Sequence, residues 1–181
     1  MMHCWKVIQL QREYGLPRLV IWSVIVFIIV FCFSYVLFSY NHPLPHKDDY
    51  FWVNIVIVPL IYPIHKYVHY FSLFGYQKSI SHRLVLKYQF FPIIRMRLKD
   101  LIPKRRYIIA LLAPFVLLNS LFIALCIYFP EYAHYASFSL AYHCAICLLD
   151  ILYVKNLFYA PKNAIIEETP KGYEILVPPQ Q

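Results

Sequence analysis

The sequence predicts a mainly α-helical membrane protein in which four transmembrane helices carry a small cytoplasmic β element. Two observations on composition point to this fold class: 61% of the 181 residues are apolar, and only 14% are charged. Soluble domains usually carry about 25% charged residues. The third observation is that four apolar segments each reach the roughly 20 residues needed to cross a bilayer. A chain of this length has room for one domain, so we expect residues 1–181 to form a single integral-membrane domain.

The four predicted helices cover residues 19–40, 50–72, 107–129 and 132–159. In lipid, backbone polar groups must find their partners within the segment, which favours helices. The first segment, "LVIWSVIVFIIVFCFSYVLFSY", contains no charged residue. Its apolar run is too long for a cleaved signal peptide, so we expect it to remain as a membrane anchor.

Two parts of the sequence outside these helices have β-strand patterns. The link at residues 73–106 contains "RLVLKYQF" and "IIRMRLK", in which apolar and basic residues alternate or cluster as they do in interfacial strands. The tail at residues 163–177 reads "AIIEE", then the turn "TPKG", then "YEILV", which is typical of a β-hairpin. We expect these segments to form a small sheet that caps the helix bundle.

Basic residues predict the orientation of the chain. The 73–106 link holds nine Lys or Arg residues, whereas the links after the first and third helices hold only Lys47, against Asp48, Asp49 and Glu131. Cytoplasmic loops carry an excess of Lys and Arg. Both termini and the basic link are therefore predicted to be cytoplasmic, in a multi-pass protein of the cell membrane. The basic charges suit contact with anionic lipid, so we expect the lipid bilayer as a partner and no nucleic acid.

Ionisable side chains inside the predicted helices point to a site. They are His65, Lys66, His69, His143 and Asp150. Such groups are costly in lipid and usually face the protein interior. His65 and His69 share one helix face, about 6 Å apart. Asp150 is predicted to lie at nearly the same depth as His65, because each stands seven or eight residues before the cytoplasmic end of its helix. Two imidazoles and a carboxylate are a known ligand set for catalytic zinc.

From the residues alone, a second interpretation remains open. A His-x-x-x-His pair arises by chance in a chain with eight histidines. Asp150 would then pair with Lys66 across the bundle and neutralise both charges without a metal. The pattern alone does not decide between a metal site and this ion pair.

Other polar residues in the helices have more ordinary interpretations. His143 stands seven residues before Asp150, about 10 Å along the helix, which is too far to bind the same ion comfortably. It is expected either to contact the site from outside or to be a hydrogen-bonded core histidine. Cys144 and Cys147 are expected to be packing residues, and Asn54 and Asn119 are expected to form interhelical hydrogen bonds.

These motifs resemble a group of small bacterial membrane proteins described as "putative zincin peptidase". The resemblance covers nearly the whole chain and rests on "IYPIHKYVHY", "FFPIIRMRLK", "LLAPF", "HCAICLLDILYVKNLFYAPK" and "IEETPKGYEILV". The group is distantly similar to the site-two intramembrane metalloproteases. The resemblance implies that His65, His69 and Asp150 bind zinc, which activates water to hydrolyse a peptide bond near the cytoplasmic face. A membrane protein or peptide would be the substrate.

One residue departs from the zincin motif. The motif places Glu directly after the first His, where it acts as the general base, and this chain has Lys66 there. The catalytic base is therefore unknown, and Glu167 and Glu168 are acids that would have to fold back to serve. The alternative function is a catalytically inactive homologue that binds zinc or a membrane-protein partner without hydrolysis.

Overall fold

Four long helices form most of the structure. The structure is a computed structural model that describes residues 2–41, 45–73, 80–87, 91–98, 101–169 and 172–178. The long helices are α2 (Leu16–Asn41), α3 (Phe51–Ser72), α4 (Lys104–Tyr128) and α5 (Ala133–Phe158). A short helix, α1 (Leu10–Tyr14), precedes them, and a 3₁₀ turn at Pro130–Tyr132 joins α4 to α5.

The prediction of a mainly helical chain with four long apolar helices is confirmed. The four helices are long and apolar enough to cross a membrane. Two helices begin three residues earlier than predicted: α2 begins at Leu16 rather than at residue 19, and α4 begins at Lys104 rather than at residue 107. The Lys104 ammonium donates a hydrogen bond to the Ala160 carbonyl at 2.6 Å, beyond the end of α5. This contact holds the basic first turn of α4 in place.

The strands form two antiparallel sheets. The larger sheet contains β1 (His3–Ile8), β6 (Gly172–Val177), β5 (Ile165–Thr169) and β4 (Ile102–Pro103), in that spatial order. The smaller sheet pairs β2 (Ile80–Lys87) with β3 (Phe91–Leu98). The predicted C-terminal hairpin is confirmed as β5 and β6. The pairing of β1 with β6 was not predicted, because "HCWKVI" has no clear alternation of apolar and polar residues.

The larger sheet packs its inner face against the ends of α4 and α5. Buried Ile8, Ile166 and Ile175 belong to one core cluster with side chains of both helices. Burial raises the pKa of Tyr173, whose hydroxyl donates a hydrogen bond to the Tyr153 carbonyl at 2.8 Å. At Gly172, a Cβ atom would overlap the carbonyl oxygen of Ile8. The β1–β6 contact therefore requires glycine at this position.

Helix α5 lies at the centre of the bundle and packs against α2, α3 and α4. It is the most buried of the four long helices. The other three expose large apolar side chains along much of their length. Soluble monomers rarely expose apolar patches larger than a few hundred Å². The central place of α5 explains why its polar residues face protein.

Candidate metal centre

Three predicted residues converge between α3 and α5. The Nε2 atoms of His65 and His69 are 3.0 Å apart. The Oδ2 atom of Asp150 lies 3.1 Å from Nε2 of His65 and 3.5 Å from Nε2 of His69. The structure thus brings together one atom from each of the three residues, as helix periodicity and depth predict.

The cluster is shielded from its surroundings. His65 is completely buried, Asp150 is 7% exposed, and His69 is half-buried. Among the described residues, no group donates a well-aligned hydrogen bond to Oδ2 of Asp150. A buried carboxylate is expensive unless a positive charge or hydrogen bonds compensate it. The site therefore requires a compensating group near Oδ2.

The proton on His69 is fixed by a backbone contact. Its Nδ1 atom lies 2.7 Å from the carbonyl oxygen of Ala110 in α4. A carbonyl oxygen only accepts hydrogen bonds, so Nδ1 carries the hydrogen and donates it. In the neutral imidazole, Nε2 then presents a lone pair to Asp150 and His65.

The proton on His65 is fixed through two further residues. Nδ1 of His143 donates a hydrogen bond to Oδ1 of Asn119 at 2.6 Å, so Nε2 of His143 is an acceptor. That atom lies 3.2 Å from Nδ1 of His65, which donates to it. Nε2 of His65 is left with a lone pair. We call Asn119, His143 and His65 the relay.

These tautomers leave three acceptor atoms facing one another with no proton between them. Lone pairs in such contact repel unless a cation lies between them. A tetrahedral zinc ion with Zn–N of about 2.0–2.1 Å places neighbouring ligand atoms about 3.3 Å apart. The observed separations of 3.0, 3.1 and 3.5 Å bracket this value. The donor set therefore fits zinc, and His65, His69 and Asp150 form a group that could hold a metal ion.

Lys66 does not take part in this cluster. Its ammonium lies 5.8 Å from the centre of the Tyr62 ring, one turn earlier on α3, as a cation–π contact. Oδ2 of Asp150 instead lies within 3.5 Å of the Nε2 atoms of the two imidazoles. The alternative in which Asp150 pairs with Lys66 is therefore wrong.

Two residues outside the three contact the site: His143 contacts it from outside, as one of its two interpretations predicted, whereas Cys147 was expected only to pack. His143 and Asp150 are about 10 Å apart along α5, and the His65 ring lies between them. One ring nitrogen of His65 contacts His143, and the other contacts Asp150. Cys147, expected to be a packing residue, has its Sγ atom 3.4 Å from Nε2 of His143. Its spacing of four residues from His143 was the signal that could have indicated this contact. Asn119 forms the predicted interhelical hydrogen bond.

The two tail acids belong to the larger sheet. Glu167 and Glu168 lie on β5, where Glu167 is opposite Glu174 of β6. Glu168 accepts a hydrogen bond from the Tyr107 hydroxyl at 3.1 Å. Their backbone is thus held by strand pairing rather than folded back into the bundle.

One of three comparisons with known proteins found a match. No curated protein and no solved structure matches the chain. The sequence model of one family, described as "Putative zincin peptidase", matches residues 58–165. The matched segment contains His65, His69 and Asp150, together with His143 and Asn119 of the relay. This match spans more than half of the sequence, and the chain therefore belongs to the family described as "Putative zincin peptidase".

Proposed function

We propose that this chain is a membrane-embedded zinc-binding protein in which His65, His69 and Asp150 hold the ion. The observation that carries the proposal is the convergence of one nitrogen or oxygen atom from each of the three side chains, all within 3.5 Å of one another. Zinc accepts imidazole nitrogen and carboxylate oxygen and leaves a fourth position open in catalytic sites. Family membership supports zinc over other divalent ions.

The proposal includes insertion in the cell membrane with both termini in the cytoplasm. Because β1 and β6 pair, the segments before α2 and after α5 lie on the same side, which requires an even number of crossings. The helices contain 22 to 26 residues, about 33–39 Å, enough for a hydrocarbon core of about 30 Å. The basic residues between α3 and α4 support the cytoplasmic assignment for that side. The metal site then lies in the cytoplasmic half, about 10 Å from the end of α3 at Ser72.

Metal analysis of the purified protein tests zinc binding. We expect about one zinc ion per chain in the wild type, because His65, His69 and Asp150 together hold one ion. The double variant His65→Ala, His69→Ala should lose the ion, because only one protein ligand remains. The matched control is His134→Ala, which removes a histidine at the opposite end of α5. Full zinc content in the double variant would contradict the proposal.

Within this proposal, the geometry favours zinc binding without peptide hydrolysis. Bound zinc would supply a Lewis acid that activates water. In zincins, the Glu of the motif accepts the proton. Lys66 has three donors and no acceptor, and its ammonium lies over Tyr62 rather than at the cluster. The chain would then engage a membrane protein or peptide at the zinc site without cutting it.

The second candidate is a zinc-dependent intramembrane peptidase acting near the cytoplasmic face. Family membership favours it, and so does the partial exposure of His69, whose side chain is 15% exposed and gives the cluster an open side. A cleavage assay with model membrane substrates separates the two candidates. We expect no cleavage by the wild type and a gain of cleavage in Lys66→Glu. Zinc-dependent cleavage by the wild type would establish the peptidase instead.

A further inference from the structure

A groove lies between α3, α4 and α5 at the end of the bundle opposite the larger sheet. Its volume is about 380 Å³. The floor consists of buried Phe122, Ala136 and Ser139, whereas rim residues such as Val53 and Phe129 are at least half exposed. The groove is therefore open towards whatever surrounds the helices. It is separate from the zinc ligands, although Phe122 also packs against His143.

Two of the polar side chains that line the groove, Ser139 and Asn54, form no hydrogen bond among the described residues, so the interhelical hydrogen bond predicted for Asn54 is not formed. Ser139 is only 4% exposed, and its hydroxyl forms no hydrogen bond within the part of the chain that the structure describes. The side-chain amide of Asn54 likewise has no partner among the described residues. By contrast, Ser34 and Ser72 donate to backbone carbonyls four residues earlier, at 2.7 and 2.8 Å. Unpartnered polar groups are costly in hydrocarbon. A ligand that accepts hydrogen bonds would therefore stabilise Ser139 and Asn54.

The depth of these two groups identifies the acceptor. Asn54 lies three residues inside the start of α3, about 5 Å, and Ser139 lies six residues inside α5, about 9 Å. Helix α3 is about 33 Å long against a hydrocarbon core of about 30 Å. Both groups thus fall near the boundary between hydrocarbon and headgroups. Phospholipid ester carbonyls lie at this boundary and accept hydrogen bonds from hydroxyl and amide groups.

We propose that the groove binds one acyl chain of an ester-linked phospholipid, with Ser139 and Asn54 donating to its ester carbonyls. The proposal rests on the membrane insertion proposed above and is independent of zinc. The volume favours a lipid chain over a partner helix. One turn of a helix about 10 Å wide occupies about 400 Å³. The groove would therefore accommodate only a single turn of a partner helix. A cavity of this size falls within the range of small-molecule sites.

The experiment compares two lipids by native mass spectrometry of the full-length protein in detergent. One is a diester phosphatidylethanolamine, and the other is its dialkyl ether analogue, which lacks both carbonyls. We expect the wild type to bind the diester about five- to 150-fold more tightly, the range expected for two hydrogen bonds. The double variant Ser139→Ala, Asn54→Leu should lose this preference by weakening only diester binding.

A second pair of variants tests whether the lipid binds in the groove without changing the polar side chains that line it. Ala136→Phe fills the floor of the groove and should weaken binding of both lipids. The matched control is Val116→Phe on α4, which is 58% exposed and does not line the groove. Thermal unfolding identifies variants that fold. Equal binding of the two lipids by the wild type, or equal lipid binding by Ala136→Phe and Val116→Phe, would overturn the proposal. Cross-links from the groove to a second protein chain would overturn it in favour of a helix partner.

Discussion

The relay predicts that zinc affinity depends on residues that never touch the ion. In the structure, Asn119 fixes the proton of His143, and His143 in turn fixes that of His65. The variant His143→Phe removes the acceptor for His65, and Asn119→Leu removes the acceptor for His143. Each substitution introduces an apolar side chain of similar size. Without an acceptor for its Nδ1 hydrogen, His65 can carry the hydrogen on Nε2 instead. That tautomer cannot bind zinc through Nε2.

The expected loss of zinc affinity depends on which of the two acceptors is removed. Removing an outer partner of a metal-binding histidine typically costs 10- to 100-fold in metal affinity, or about 1.4–2.8 kcal/mol. His143→Phe removes the direct acceptor, which lies 3.2 Å from His65, and should fall near the upper end. Asn119→Leu removes only the second acceptor, so His143 itself can still accept part of the time. Its effect should fall near the lower end.

Competition with a chromophoric zinc chelator measures these affinities on the purified protein. The control is His134→Phe, because His134 lies on the same helix but contacts Asp48 at 3.3 Å, at the opposite end. Thermal unfolding without zinc separates loss of affinity from loss of fold. If His143→Phe binds zinc as tightly as His134→Phe does, the assignment of protons along the relay is wrong.

Three further predictions concern the fold and the ion. Reporter fusions after Gln89 and after Gln181 should both read cytoplasmic, and one after His46 should read external; a non-cytoplasmic signal at Gln89 would refute the proposed orientation. Gly172→Ala should destabilise the protein by about 1–3 kcal/mol, because its methyl group overlaps the Ile8 carbonyl, and a thermal midpoint equal to that of the wild type would refute this. Zinc removal by a chelator should lower the thermal midpoint of the wild type, because an ion that binds only the folded state stabilises it; an unchanged midpoint would count against the site.

The sequence alone was sufficient to place the three proposed ligands at one depth, whereas the contact of Asp150 with the two histidines also depends on how α5 packs. Helix periodicity puts His65 and His69 on one face, and counting residues from the helix ends puts Asp150 at their depth. Both are properties of a single straight helix, so they need no knowledge of how helices pack. The structure brings the three side chains together as this reasoning expects.

The relay and the sheet could not be predicted in the same way. The prediction for His143 used its distance from Asp150 along α5, whereas in the structure His143 contacts the His65 ring on α3. Such a contact depends on the rotation of α5 about its axis, which residue spacing does not fix. The β1–β6 pairing joins segments at opposite ends of the sequence. Long-range strand pairing depends on partner and register, and a weakly patterned strand specifies neither.

The pairing of β1 with β6 also sets an order of events during synthesis. About 160 residues separate these two strands, including all four long helices. At about 5–20 residues per second, the ribosome needs about 8–30 s to produce β6 after β1. Throughout that time β1 has no strand partner, although it ends at the fully buried Ile8. The sheet can therefore close only after the last helix has been made, which makes its closure a late step of biogenesis.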